Sequence, residues 1–384
     1  MFELFNRTIT TDTVHIGFGS AGKGGNEAHK KRGSFCQELK RAGINYEPFS
    51  YMSPETAARK KNALSAREFR AVESEIAKLI TEFVTGSVHA RDQLATGGGT
   101  GTFGIKSIPI TCKNTEYTTA TVFLSQEPIQ RSVALDVRLR KYINTMAQVT
   151  LLDQVIGKHQ CAVELISMLA CIQCFGNSYE SVDANVHDIM SIFNGIPHFS
   201  HYDSEDILSD PRFKVRTFGY AQIPIVRRFE PNVSRIYSAI NQLKPLFDTQ
   251  YFFKNSDSNV MGSPVVILAG QPELVEDAQT KFGSANDDIF SLSDIERNYN
   301  SVTIANSQPT FISCPIENTS TIYIVGIYPI DAEWFGNQCK GARETILDLH
   351  RKSVNGQVNS MLGRVYKSML SQADYPNIEE FIGG

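Results

Sequence analysis

Apolar positions recur at three- and four-residue steps through residues 65–84, at Phe69, Val72, Ile76, Leu79, Ile80 and Phe83, which predicts an amphipathic helix. Similar spacing predicts helices over 27–42 and 131–146, and short apolar runs predict strands over 14–18, 118–124 and 149–152. Residues 158–175 are apolar on nearly every side, the pattern of a helix buried all round. The second half alternates again, with strands expected over 221–226, 264–268, 310–313 and 321–327 and helices over 233–247 and 272–282. Loops are expected at 255–259 and 298–306 by composition. Ile346, Leu349, Val354, Val358, Leu362, Val365 and Met369 extend one helical stripe over 340–370, where Gly356 and Gly363 are candidate bends. A polar tail, 371–384, carries Tyr375, Ile378 and Phe381 at spacings suited to docking. Strands alternating with helices indicate an α/β fold.

At 384 residues there is room for two domains. A hydrophobic fraction of 41% and a charged fraction of 20% are those of a globular protein. The net charge of -4 lacks the basic footprint of direct nucleic-acid binding. Seven cysteines are scattered, and Cys171 and Cys174 form a CxxC inside an apolar stretch with no second pair. They read as core thiols in a reducing cytoplasm rather than a metal site. Residues 1–7 do not read as a secretory signal, and no apolar run approaches the ~20 residues of a membrane span, so a cytoplasmic, membrane-free protein is expected.

The most specific chemistry lies at residues 96–104, Thr-Gly-Gly-Gly-Thr-Gly-Thr-Phe-Gly. Glycines let successive backbone N–H groups converge on an anion, and threonine hydroxyls add ligands for phosphate or Mg²⁺. It is not a Walker A loop, because no Gly-Lys-Ser/Thr closes it. A second glycine run, Gly19-Ser20-Ala21-Gly22-Lys23-Gly24-Gly25-Asn26, follows the strand at 14–18 and precedes the helix at 27–42. Strand, glycine turn and helix aim a helix N-terminus at phosphate. Gly17, Gly19 and Gly22 also satisfy GxGxxG, with Glu47 the nearest candidate for the acid expected ~20 residues later. An NAD(P)-binding Rossmann oxidoreductase therefore stays open, although that fold leaves the second glycine loop without a task.

Gly97, Gly98, Gly99, Thr100, Gly101 and Thr102 resemble the signature loop GGGTGTG of the tubulin/FtsZ superfamily, with Phe103 at the place of its last glycine. The segment before it, 87–95, departs from the plainly apolar strand of that family. The resemblance implies that Glu127 and Arg131, four residues apart, contact ribose and phosphates, and that Gln154 replaces the asparagine that recognises the guanine nucleotide. It implies that Gly17, Gly19, Ser20, Gly22, Gly25 and Asn26 also touch the nucleotide. Residues 182–189 resemble the family's N-x-D-x-x-D loop, with Asp183, Asn185 and Asp188 at its spacing and the amide exchanged with the first carboxylate. In the family that loop enters the neighbouring subunit's pocket and polarises the attacking water. Asp188 is then the expected catalytic carboxylate, with Asp183 and Asn185 in support. The plain reading is that these acids cap a helix over 188–193.

The implied architecture is an N-terminal Rossmann-like GTPase domain with a parallel sheet (1–157), a central helix and loop (158–190), a second α/β domain (191–339), and a C-terminal helix with its tail (340–384). His159 or Gln160 would face the base from the central helix. The helical C-terminus looks like the plasmid and phage branch, TubZ and PhuZ. The family binds GTP with Mg²⁺, polymerises head to tail and hydrolyses GTP in the filament. Partners implied are further copies of the chain and a DNA-binding adaptor. A polymerising homologue without turnover is the remaining alternative.

Overall fold

The structure, a computed structural model, describes residues 13–18, 46–50, 73–97, 99–124, 145–146, 148–153, 155, 161–176, 179–194, 204–224, 233–247, 261–262, 264–275, 310–316 and 319–354. The expected helix at 27–42, the glycine run at 19–26, Glu127, Arg131, Gln154, His159, Gln160 and the C-terminal tail lie outside them.

Among the described residues nine strands form one sheet: β1 (Thr13–Phe18), β2 (Tyr46–Ser50), β3 (His89–Ala95), β4 (Tyr117–Leu124), β5 (Cys161–Ser167), β6 (Val215–Pro224), β7 (Val265–Gly270), β8 (Thr310–Pro315) and β9 (Thr321–Pro329). Their order is β2-β1-β3-β4-β5-β6-β9-β7-β8. The first six strands are parallel, β9 runs antiparallel to β6 and β7, and β7 and β8 are parallel. The helices are α1 (Glu73–Val84), α2 (Gly99–Asn114), α3 (Met168–Phe175), α4 (Tyr179–Asn194), α5 (Ser204–Ser209), α6 (Val233–Asn241) and α7 (Ala332–Val354). A further helical stretch lies within residues 145–155.

One core unites Ile80 of α1, Ile105 and Ile108 of α2, Val149 and Leu152, and Phe335 and Ile346 of α7 against β1, β3, β4 and β5. A second gathers α4 side chains with residues of β5 to β9, including Ile166, Phe218 and Val325. A third seats α6 on β6, β7 and β9.

Two apolar runs fold otherwise than expected. Residues 158–175 are not the central helix: strand β5 occupies Cys161–Ser167 and is followed by the short helix α3. Every β5 residue from Cys161 to Ser167 has a registered partner on β4, and the Ser167 hydroxyl accepts from Ala170 N at 3.3 Å to start α3. An all-round apolar run does not discriminate a buried strand from a buried helix. Conversely, residues 149–152 are helical, with Thr150 Oγ1 donating to Met146 O at 3.0 Å. The buried central helix is instead α4, whose Val182, Val186, Ile189, Met190, Ile192 and Phe193 are all buried. Residues 182–189 are thus mid-helix and not a loop.

The polar strand β3 is buried by pairing its charges. Glu164 of β5 accepts from Arg91 of β3, and from Arg216 Nη2 of β6 at 2.8 Å and Nε at 3.1 Å. Thr121 Oγ1 donates to Glu164 at 2.6 Å, and His89 Nε2 lies 2.9 Å from Thr119 Oγ1. Both guanidiniums stack over Phe193 of α4, at 5.5 and 5.0 Å. A polar ladder thereby ties four parallel strands to α4.

Candidate functional site

Chain direction makes one position in this sheet special. β1 leads outward to β2, whereas its other neighbour β3 leads to β4 in the opposite direction. The crevice at the C-terminal ends of β1 and β3 is therefore a topological switch point, where open α/β sheets bind ligands. Both glycine runs begin there, residues 19–26 directly after β1 and residues 96–99 directly after β3.

The second run turns the chain from β3 into helix α2. Thr96 N donates to Phe123 O at 2.9 Å, continuing the β3–β4 ladder one residue past the strand. Gly97 then turns at φ +85°, a conformation that L side chains rarely adopt, and its N–H donates to Gln148 Oε1 at 2.7 Å. Gly98 lies outside the described residues, and α2 begins at Gly99. Thr100, Gly101 and Thr102 hence fall in the first turn of α2, where N–H groups have no partner within the helix and the dipole favours negative charge. No acidic residue occupies that turn. Phe103 follows as the fifth residue of α2, and the glycine that sterics demand is the next one. A Cβ on Gly104 would sit 2.6 Å from Cγ and 2.8 Å from Cβ of Phe18, so its absence lets α2 close against the end of β1.

Of the other expected residues, Gly17 is buried in β1, and Gly19, Ser20, Gly22, Gly25 and Asn26 lie outside the described residues. Glu127 and Arg131 also lie outside them, downstream of β4's C-terminal end at Leu124. Gln154 does too, but its premise fails, because Asp153 and Val155 on either side of it are helical. A Cβ on Gly336 of α7 would lie 3.2 Å from Asp153 Oδ1. α7 starts where β5 and β6 start, since Ile330 N bonds Val215 O at 2.7 Å. That end of the 145–155 stretch is at the sheet edge away from the glycine run.

The acids of α4 need a larger correction. Asn185 meets Gln222, Asp188 meets Tyr220, and Phe193 meets Phe218 edge-on at 6.1 Å, so α4 runs antiparallel to β6. Its N-terminal end, with Tyr179 and Asp183, therefore lies toward the C-terminal edge of the parallel strands, the edge of the glycine runs. Asp188 is fully buried, and its Oδ2 accepts from Tyr220 Oη at 2.6 Å and Gln222 Nε2 at 3.4 Å. Enclosed in its own chain, it is out of a second molecule's reach. Asn185 is half-buried, donating to Ser181 O at 2.8 Å and accepting from Gln222 at 3.0 Å. Asp183's side chain lies outside the described residues. What leads from α4 to β6 at the opposite edge is the stretch 195–214, which includes α5.

Solved structures match this architecture across most of their length. CetZ2 from Haloferax volcanii, in a GTPγS-bound protofilament, aligns with TM-score 0.55 at 13% identity over 87% of this chain and 99% of that one. TubZ from Bacillus thuringiensis serovar israelensis, a GTPγS-form protofilament, gives 0.53 at 12% over 90% and 98%. FtsZ from M. jannaschii gives 0.53 at 15% over 83% and 88%. This is the tubulin/FtsZ fold.

No family model matches the sequence, and no curated protein matches it either. Gln148 escaped sequence reading because a lone glutamine between two apolar runs carries no motif. Gly104 could be found only as the glycine after Phe103, and Glu164 sat inside an apolar run that hid its two arginines. Among the described residues no three His, Cys, Asp or Glu side chains group to hold a metal ion, and no helix is long and apolar enough to cross a membrane.

Proposed function

We propose that this chain is a tubulin-like GTPase that assembles head to tail and hydrolyses GTP between subunits. The observation that carries the reading is the pair of glycine runs flanking one switch point, with α2's first turn opening directly from one of them. Such a crevice supplies backbone donors and a helix dipole for a triphosphate. Oxygen ligands for an accompanying Mg²⁺ would come from Thr100 or Thr102, whose hydroxyls suit that hard cation. Glu127 and Arg131 would hold ribose and phosphates past the end of β4.

Base preference is assigned to the N-terminal end of α4. Guanine offers two adjacent donors, N1–H and the 2-amino group, and one carboxylate can accept both, which adenine cannot reciprocate. Asp183 is the carboxylate proposed, with Tyr179 one helical step before it as a stacking surface. This replaces a catalytic role for Asp183, and Asp188 and Asn185 are read as structural.

The water-orienting acid then belongs at the other edge of the sheet. His201-x-Asp203-x-x-Asp206 has the spacing that 183–188 has, and it lies in the α4-to-β6 connection. Asp206, supported by Asp203, would reach the γ-phosphate bound by the next copy and orient the attacking water, since phosphoryl transfer asks mainly for positioned charge. Site and acid at opposite edges make a contact that repeats without closing, hence a filament. The protofilaments reported for CetZ2 and TubZ support this assembly. With a net charge of -4, any plasmid or phage DNA cargo would be held through an adaptor.

The test is GTP turnover per molecule measured against protein concentration, with pelleting in parallel and Mg²⁺ withdrawn by EDTA. Turnover and pelleting should rise together above a threshold. Turnover that is proportional to protein from the lowest concentration would count against hydrolysis in trans. Thermal protection by NAD rather than GTP would return the oxidoreductase reading.

A further inference from the structure

We propose that Gln148 is a positioning residue of the phosphate site, its amide oxygen setting the backbone of the glycine run that opens α2. The inference rests on the nucleotide reading above and adds a residue to it. Gln148 is fully buried, at 0% relative exposure, and its Oε1 takes the Gly97 N–H at 2.7 Å. Its neighbours Met146, Val149, Leu151 and Leu152 all pack into the core shared with β3 and β4, so the side chain projects from a fixed base. Gly97 is the residue whose φ of +85° reverses the chain into α2. Holding that N–H fixes the peptide plane between Thr96 and Gly97 and the direction in which the following N–H groups leave.

Neutrality is the second element of the inference. Aspartate or glutamate would accept the same hydrogen bond, but would place a negative charge against the site of an anion. An amide gives the acceptor without the charge. One turn earlier, Thr145 is 1% exposed, and its hydroxyl has no hydrogen-bond partner among the described residues. Residues three apart share a helix side, and the 145–155 stretch runs from the glycine-run edge toward α7, so Thr145 lies nearer that edge than Gln148.

Two substitutions test the role through ligand charge. In Q148E the loop keeps its acceptor but gains a buried carboxylate, so the nucleotide-free protein should melt below the wild type at neutral pH, and affinities are compared per folded molecule. Affinity should fall with each added phosphate, little for guanosine and at least about tenfold for GTP. Q148L removes the acceptor and should weaken GDP and GTP alike, by several-fold. GTP affinity of Q148E within about twofold of wild type, or equal losses for guanosine and GTP, overturns the role while leaving the nucleotide reading intact. Wild-type protein that binds no guanine nucleotide sinks that reading and this one together. Should Q148L fail to fold, the charge series of Q148E decides alone.

Discussion

The hydroxyl of Tyr220 donates to Oδ2 of Asp188 at 2.6 Å, binding helix α4 to strand β6 inside a single chain. With Asp188 buried, Asp188→Ala strips the acceptor from Tyr220 and Gln222 and should cost about 1–3 kcal/mol. The measure is a lower midpoint in urea, with turnover per folded molecule retained. A variant that unfolds at the wild-type midpoint yet stalls in GTP-loaded filaments would hand Asp188 a catalytic role.

Gly104 controls how closely α2 approaches β1. In Gly104→Ala the new methyl meets Phe18 at its Cβ as well as its ring, so no rotation of a flexible end relieves it. Overpacking of this kind costs roughly 1–3 kcal/mol. Because α2 opens from the glycine run, nucleotide affinity should fall too. Phe18→Leu in the same chain should restore part of both, read as a non-additive double-mutant cycle. Strictly additive effects would show that the two residues do not communicate.

Much of this fold was legible from periodicity and little of its site from motifs. The runs at 14–18, 118–124 and 321–327 became β1, β4 and β9 because each is short, β-branched and closed by turn residues. The run at 158–175 misled because Glu164 among apolar residues gives no period, and its need for two arginines from distant strands is visible only once β3 and β6 flank β5. Residues 87–95 looked too polar for a strand for the same reason: Arg91 is matched by a glutamate 73 positions away. Asp183 and Asp188 had a motif's spacing, but spacing does not say at which edge of a sheet a helix ends. Antiparallel packing on β6 decided that.

Glu164 should be the most sensitive single side chain of the sheet. Glu164→Gln leaves Arg91 and Arg216 buried without a counter-charge, a loss of about 3–5 kcal/mol on two fully buried guanidiniums. Burial by itself would raise the Glu164 pKa, but Arg91 and Arg216 outweigh it and hold the group below its ordinary 4.5. A depressed carboxylate contributes stability that is complete above its unfolded value and drains away as pH falls through the folded one. The gap between wild type and Glu164→Gln in chemical denaturation should therefore be widest at neutral pH and close in acid. A constant gap would mean that charge is not what the site uses.

Asp92 works in the opposite sense on the other face of β3. Burial, and then the Cys112 thiol nearby, pushes its carboxyl well above 3.8. Stability from a raised carboxyl is complete below the unfolded value and is lost as pH climbs through the folded one. Asp92→Asn escapes that loss. It should melt higher than wild type at pH ~8, and the difference should shrink toward pH ~4. Equal melting at both pH values would mean that Asp92 is satisfied as an anion.

The proposed hydrolysis between subunits makes a complementation experiment possible. Asp206→Ala keeps a complete nucleotide crevice but would offer the next subunit no acid. Gly101→Val keeps Asp206 but crowds α2's first turn, where phosphate would sit. Each variant alone should turn over little GTP. In a mixed filament, every Asp206→Ala crevice that meets a Gly101→Val neighbour regains an intact acid across the contact. Equal random mixing should restore turnover to roughly a quarter of the wild-type rate, since half the crevices bind nucleotide and half of those meet the acid. Labelled Gly101→Val protein must co-sediment with the filaments for that contact to exist. Co-sedimentation without recovered turnover would show that Asp206 does not serve the neighbouring site, because an acid acting in trans has no other way to remain silent.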